Sequence, residues 1–543
     1  MFDSDDSVVR RAGLLIPLFS IRGEGWGLGE IPDLVRLAHW ARGAGHTTLQ
    51  ILPVNEPSRG QNSPYAARTA FALDPAYLAI DRLEDFHAAG GRDALSPEQR
   101  VTLDRVREAD VVCWDEVRAL KQAALWRSFE VFEKQVLGTG GPRADEFREF
   151  VRRHADWLED YALYAALHDA AGGQEWQRWP EPLRQRDPGA LVEARRQHER
   201  QILCLEYVQW QLERQWGEMR QGLDQAGVML LGDLPFVVAS DSADVWAHQE
   251  LFRLDVTLGV PPDAFSAEGQ DWGLPVYRWD AMVADDYAWM RRRAARAGEL
   301  FDGYRVDHVV GLYRTYYIPQ GGDERGFMPP EPSDQRVQGE RLLRQLAFPE
   351  GVRPGHSRVI AEDLGTVPDW VRDSLLRLGI PGFRVLRWEK DDDVYRDPAG
   401  WPTLSVATTG THDTDSLIDW YDGLDEAERA ALWSLPRLRE RGEPPPRCDE
   451  GVRQALLELV YASGSALTLV PFQDLAGTRE RINVPGTVAE SNWAYRMHET
   501  LEELELRDLG DKLRALCERT GRAAARGGQP AERPAAEAPP PAV

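Results

Sequence analysis

Cysteine is scarce in this chain. Four residues in 543, at positions 113, 204, 448 and 517, form no CxxC pair and no framework spacing. That excludes a disulfide scaffold and a cysteine-built zinc site, and it fits a reducing compartment. Positive charge is short too: 64 Lys and Arg against 89 Asp and Glu leave a formal net charge of −25. A phosphate backbone is therefore a poor partner, because nucleic-acid binders carry a basic footprint. No apolar run reaches the roughly 18 to 20 residues that span a bilayer. The stretch "RRAGLLIPLFSI" follows the acidic "MFDSDDS" and lacks a small-residue cleavage site, so it reads as a buried strand rather than a leader. Phosphate-binding and metal signatures are missing as well. There is no GxxxxGK[ST] loop and no HxH or HExxH spacing, and "GEGWGLGE" (23–30) is not GxGxxG. The expectation is a cytoplasmic chain without metal or cofactor and with neither nucleic acid nor membrane as partner.

What the sequence does have is short apolar runs with polar ends. Eight stand out: "GLLIPLFS" (13–20), "TTLQILPV" (47–54), "VMLLGDLPF" (228–236), "FDGYRVDHV" (301–309), "RVIAEDLG" (358–365), "GFRVLRWE" (382–389), "SVATTGTHD" (405–413) and "ALTLVPFQD" (466–474). Amphipathic stretches such as "IPDLVRLAHWARGAG" and "VPDWVRDSLLRLG" lie between them and finish on glycine. Strands alternating with helices imply parallel pairing and right-handed crossovers. Eight units predict a closed (β/α)8 TIM barrel, with an open doubly wound sheet as the alternative.

The spacing also predicts a large, mainly helical insertion after the second strand, about residues 82–222. An N-terminal extension is expected over 1–12 and a catalytic unit over 13–520. A Pro/Ala/Gly-rich tail, 521–543, has too little apolar surface to fold.

In a parallel barrel, chemistry sits where strands end. Five of the eight ends carry carboxylates: Asp233, Asp307, Glu362 with Asp363, Asp413 and Asp474. Arg305, His308 and His412 stand beside them. A single aspartate after a strand is often a helix N-cap, but a convergent set this close to a core must be paired or hydrogen-bonded. Period-two alternation puts Arg305 and Asp307 on one face. Arg305 would then hold Asp307 ionised, while nearby negative charge would keep Glu362 protonated. A retaining glycosidase needs such a pair, a nucleophile and an acid roughly 5 to 5.5 Å apart. A third carboxylate such as Asp413 would bind sugar hydroxyls and favour ring distortion.

These residues meet a family. "YRVDH", "IAEDLG" and "GTHDTDS", in that order, resemble the catalytic signatures of the 4-α-glucanotransferases (amylomaltases, or disproportionating enzymes) of the α-amylase-like superfamily. The likeness extends through "LQILPVNEP", "NSPYAARTAFALDP", "LGDLPFVVASDSADVW" and "GVPPDAFSAEGQDWGLPVYRWD" to "RINVPGTVAESNWAYRM". The resemblance implies an intracellular enzyme acting on maltooligosaccharides or other α-1,4-glucans without cofactor or metal, as a monomer or homodimer. By match to the motifs, Asp307 is the nucleophile, Glu362 the acid/base and Asp413 the transition-state stabiliser. Arg305, His308, His412, Ser63, Tyr65, Asp233, Trp272 and Asn483 would contact sugar. Residues 259–277, with Pro262, Asp263 and Phe265, would form a mobile loop over the site, with Trp272 stacking on a glucose face.

Two departures matter. Ala264 stands where many relatives carry an aromatic residue, and "SRGQNSPY" lacks a Gly-Tyr-Gly tyrosine. Both remove aromatic surface near the acceptor side, which bears on acceptor preference and on the balance with hydrolysis. The short N-terminus suggests that extra N-terminal domains of some relatives are absent. An α-1,4-glucan hydrolase of the same fold is the nearest alternative, and a silent glucan-binding protein a distant one.

Overall fold

The computed structural model describes residues 9–262, 269–321, 324–347 and 359–523. Eight parallel strands close into a barrel. They are β1 (Arg11–Leu15), β2 (Thr48–Gln50), β3 (Met229–Leu234), β4 (Gly303–Val306), β5 (Val359–Ala361), β6 (Gly382–Val385), β7 (Ser405–Thr408) and β8 (Leu467–Pro471). Each pairs with its chain neighbours, and β1 pairs with β8 to complete the ring. All eight apolar runs of the sequence hold one strand each, so the closed (β/α)8 expectation holds and the open sheet falls away. Leu231, Ile360, Phe383, Val385, Val406, Leu467 and Leu469 fill the interior as one apolar cluster. Gly13 keeps that space open, because a Cβ there would sit 2.6 Å from Leu469 and 2.8 Å from Thr48.

Helices α1 (Asp33–Gly43), α2 (Trp114–Phe132), α3 (Ala155–Ala170) and α4 (Glu199–Ala226) lead from β1 to β3. The last of these does two jobs. It packs on α1, with Gly222 so close to Val35 that a Cβ would meet it at 2.8 Å. It is also tied to the start of β4: Trp216 donates to the Leu300 carbonyl at 2.9 Å, and Arg220 forms an ion pair with Asp302 at 2.7 Å. So α4 is the crossover helix entering β3 as well as the end of the helical stretch. Among the described residues no helix is long and apolar enough to cross a membrane.

Two findings differ from the sequence reading. Residues 259–277 were expected as a mobile loop, but Val260 ends one strand (Phe252–Val260) and 270–277 form its antiparallel partner (Gln270–Tyr277), while 263–268 lie outside the described residues. Thr315–Pro319 and Gly326–Met328 extend the pair to a four-stranded antiparallel sheet, joining the excursion after β3 to the one after β4. Glycines and prolines hid these strands. Gly269 (φ 74°) and Gly273 (φ 65°) hold left-handed positions, and the register shifts beside Leu258.

The second difference is at residue 522. The tail was placed from 521 onward, yet Arg522 is 1% exposed. Its guanidinium donates to the carbonyls of Tyr461, Arg11, Ala466, Ser463 and Ser465 at 2.6 to 3.2 Å. Ala466 and Arg11 flank the β1–β8 seam, so Arg522 fastens the chain beneath the ring closure. Residues 524–543 lie outside the described residues. Arg522→Ala would remove five hydrogen bonds from this seam and should lower stability by about 2 to 3 kcal/mol. A urea-unfolding midpoint equal to that of the unaltered chain would show that the seam does not need it.

Candidate active site

Adjacent strands bring the site together. Asp233 of β3 and Arg305 of β4 are register partners, and Arg305 pairs in turn with Ile360 of β5. The ladder runs on past the strand ends. The Asp307 amide donates to the Leu234 carbonyl at 3.1 Å, and the Glu362 amide to that of Val306 at 3.0 Å. Three acids from three neighbouring strands therefore converge on one guanidinium. Its NH1 donates to both oxygens of Asp233 at 2.9 and 2.8 Å. Its NH2 lies 2.8 Å from Asp307 and 3.9 Å from Glu362. The nearest oxygens of Asp307 and Glu362 are thus no further apart than these two contacts laid end to end. That suits the ~5–5.5 Å of a retaining pair better than the ~6.5–9.5 Å of an inverting one.

The acids differ in exposure. The side chain of Asp233 is 0% exposed, Glu362 13%, Asp307 22% and Asp413 39%. Asp233, expected to touch sugar, is the most covered of the four. Its oxygens are taken up by Arg305 and by the Tyr65 hydroxyl, which donates at 2.8 Å, so it lies beneath Arg305 as a counter-ion. Burial pushes its carboxyl up, opposed chiefly by Arg305.

Glu362 accepts from the His308 amide at 2.8 Å through one oxygen and from the Leu364 amide at 3.0 Å through the other. Burial nonetheless pushes it up to about 7. Arg305 opposes that rise, the charge of Asp307 adds to it, and the two amides oppose it. A carboxyl near 7 can exist as acid or base at neutral pH, which is what a proton-transferring group needs.

His308 holds a left-handed backbone (φ 46°), unusual for a non-glycine residue. Its ring packs edge-on against Trp272 at 4.8 Å and Phe236 at 5.7 Å, and burial lowers its pKa to about 4, leaving a neutral imidazole. Gly311 permits this approach, because a Cβ there would lie 2.7 Å from the His308 ring. On the opposite side, Tyr65 stacks on His412 with centroids 5.2 Å apart. His412 Nε2 lies 3.3 Å from Asp413, and the Asn483 amide donates to the other oxygen of Asp413 at 2.7 Å.

Of the remaining expected residues, Ser63 accepts from the Tyr65 amide at 3.3 Å and so shapes the loop that carries Tyr65. The Trp272 indole donates to the Gln270 side chain at 3.1 Å along the same strand. Pro262 is exposed at the last described position before 263–268, and Asp263, Ala264 and Phe265 lie outside the described residues. One residue was missed. Trp493 (φ 61°) packs against both Tyr65 and His412 at 5.7 and 5.8 Å. Its signal was an aromatic inside the same motif that holds Asn483. The two other strand-end acids are occupied: Asp363 accepts from the Phe383 amide at 2.7 Å, and Asp474 from Thr409 and Leu417.

Fold and site together define a (β/α)8-barrel enzyme with carboxylates gathered at its strand ends. The family model for 4-alpha-glucanotransferase matches residues 16–502, and the chain belongs to that family. A 4-alpha-glucanotransferase of Thermus thermophilus is 34% identical, the match covering 94% of this chain and 99% of that protein. One of Chlamydia pneumoniae is 30% identical over 91% and 92%. Among solved structures, an amylomaltase from Streptococcus agalactiae in complex with acarbose superposes with a TM-score of 0.81 at 24% identity, covering 95% of this chain and all of that one; this likeness is one of fold.

The sign of the pH dependence follows from Glu362. Its neutral form predominates below about 7, so a step that needs the acid should slow roughly tenfold per unit above that pH. Glu362→Gln should remove this limb from the kcat/KM profile, and an unchanged limb in that variant would assign it to another group.

Proposed function

We propose that the chain transfers segments of α-1,4-glucans to the 4-hydroxyl of another glucan or of glucose, with retention, through a covalent glycosyl-enzyme. Asp307 attacks the anomeric carbon as the glycosidic bond breaks, and Glu362 gives its proton to the departing oxygen. The acceptor hydroxyl then returns a proton to Glu362 and attacks the same carbon, freeing Asp307. Two inversions give net retention. Asp413, held by Asn483, is open enough to accept from ring hydroxyls, and the neutral His308 imidazole and the His412 ring offer further contacts. Trp272 presents an aromatic face at the mouth, on the strand Gln270–Tyr277.

The observation that carries this reading is the placement of Arg305 NH2, 2.8 Å from Asp307 and 3.9 Å from Glu362, where burial raises Glu362 toward neutrality. The family membership favours transfer over hydrolysis. The acidic surface and four unpaired cysteines support a cytoplasmic setting.

Pure maltotriose tests the reading. Transfer should yield free glucose and a ladder of longer oligomers with few new reducing ends. Asp307→Asn should lower turnover by on the order of 10³-fold or more. Maltose and glucose without a ladder would make the protein a hydrolase that passes the same intermediate to water. No change at all would point to a silent binder.

A further inference from the structure

Asp413 sits on the segment that follows β7, and two buried residues not yet given a role hold that segment at both ends. Arg387, two residues beyond the end of β6, is 8% exposed. Its Nε donates to the Thr409 carbonyl at 3.1 Å and its NH2 to the Asp415 carbonyl at 3.0 Å. Asp474, at the end of β8, is 2% exposed. One of its oxygens accepts from the Thr409 hydroxyl at 2.5 Å and the other from the Leu417 amide at 2.7 Å. The two side chains thus grip residues 409–417 from the strands on either side of β7, one through carbonyls and the other through donors.

Several details show that the grip is built. Gly410 makes room for it, since a Cβ there would come within 2.9 Å of the Arg387 NH2. The guanidinium lies over the Trp420 ring, 5.3 Å from its centroid. The backbone behind Asp474 is fixed in turn, because Arg453 donates to the carbonyls of Asp474 and Leu475 at 3.0 and 2.6 Å. Inside the grip, Thr411 and Thr414 close a small turn, with the Thr411 amide donating to the Thr414 hydroxyl at 3.0 Å. Arg481 donates to the Asp413 carbonyl at 2.6 Å and pairs with the Asp415 carboxylate. Asp413 itself is 39% exposed, with His412 and Asn483 on its oxygens.

Resting on the transfer reading above, we infer that Arg387 and Asp474 are positioning residues for Asp413, clamping residues 409–417 so that its carboxylate meets the distorted donor sugar without rearrangement. Neither touches substrate. Reactivity depends steeply on such placement, and a displacement of about 1 Å can cost on the order of a hundredfold in rate. The same grip gives a task to the charged residues that follow the sixth and eighth strands, although neither contributes a reacting group.

Two readouts test the clamp. Hydrogen exchange of the amides in 409–417, followed by mass spectrometry, should quicken at least severalfold in Arg387→Lys and in Asp474→Asn, while peptides covering Asp307 and Glu362 keep their rates. With an activated maltosyl fluoride as donor, each substitution should lower kcat roughly ten- to a hundredfold with little change in KM. The same substitution placed on an Asp413→Asn background should cost less than about twofold, because its effect passes through Asp413. A loss of folded enzyme would instead impose an equal factor on both backgrounds. That result, or unchanged exchange in 409–417, overturns the inference. If the unaltered chain leaves glucans untouched, the transfer reading fails, and exchange alone decides the clamp. Should Arg387→Lys not accumulate as folded protein, Asp474→Asn carries both measurements.

Discussion

One guanidinium governs this site. Arg305 stands between Asp233 below it and Asp307 and Glu362 at the rim, within 4 Å of all three. A cation taken out of water needs close partners to be tolerated, and three carboxyls crowded together need a cation between them. The bidentate bond to Asp233 fixes the orientation of NH1 and thereby aims NH2 at the working acids. Asp307 receives the short contact and Glu362 the long one. Burial and the charge of Asp307 then push Glu362 upward, and the guanidinium opposes this only in part. The two rim carboxyls thus stand at different distances from one shared charge, and the more covered of them is the one that burial raises.

The barrel makes that arrangement possible because β3, β4 and β5 are consecutive in the ring as well as in the chain. Around it, the chain repeatedly uses arginine to bind backbone carbonyls rather than acids. Arg293 donates to Pro235 and Phe236 behind β3, and Arg496 to Val106, Arg107 and Ala109. Arg387 holds the turn that carries Asp413, and Arg522 closes the seam. Guanidinium suits this task, since its planar fork reaches several acceptors at once and stays charged when buried. In a chain with a large excess of acid, these cations are spent mostly on loop ends, where unpaired carbonyls would otherwise face the interior.

The eight strands were legible because each joins a short apolar run to a polar end, and the barrel needs both. The strand-end positions of Asp307, Glu362 and Asp413 were legible for the same reason. What escaped the sequence has specific causes. The antiparallel sheet is interrupted by glycines and prolines that read as loop, although several of them sit at turns and bulges. Asp233 looks like any strand-end acid until its register with Arg305 shows it covered. Arg522 is embedded in a low-complexity stretch, and its partners are carbonyls more than 50 residues away or at the opposite terminus, which leave no pattern. Trp493 and Arg387 belong to segments whose side chains face inward only once the neighbouring strand ends are in place.

The claim at the centre is that Asp307, held by Arg305, is the carboxylate that captures the sugar. Peptide mapping of a trapped glycosyl-enzyme tests it most directly. Glu362→Gln would be treated with maltosyl fluoride, whose leaving group needs no proton, and digested with trypsin. The maltosyl mass should appear on the peptide Val306–Arg314, which contains Asp307, and should vanish when Asp307 is also changed to Asn. An adduct on a peptide bearing Asp413 or Asp233, or none at all under conditions where fluoride is released, would contradict the account.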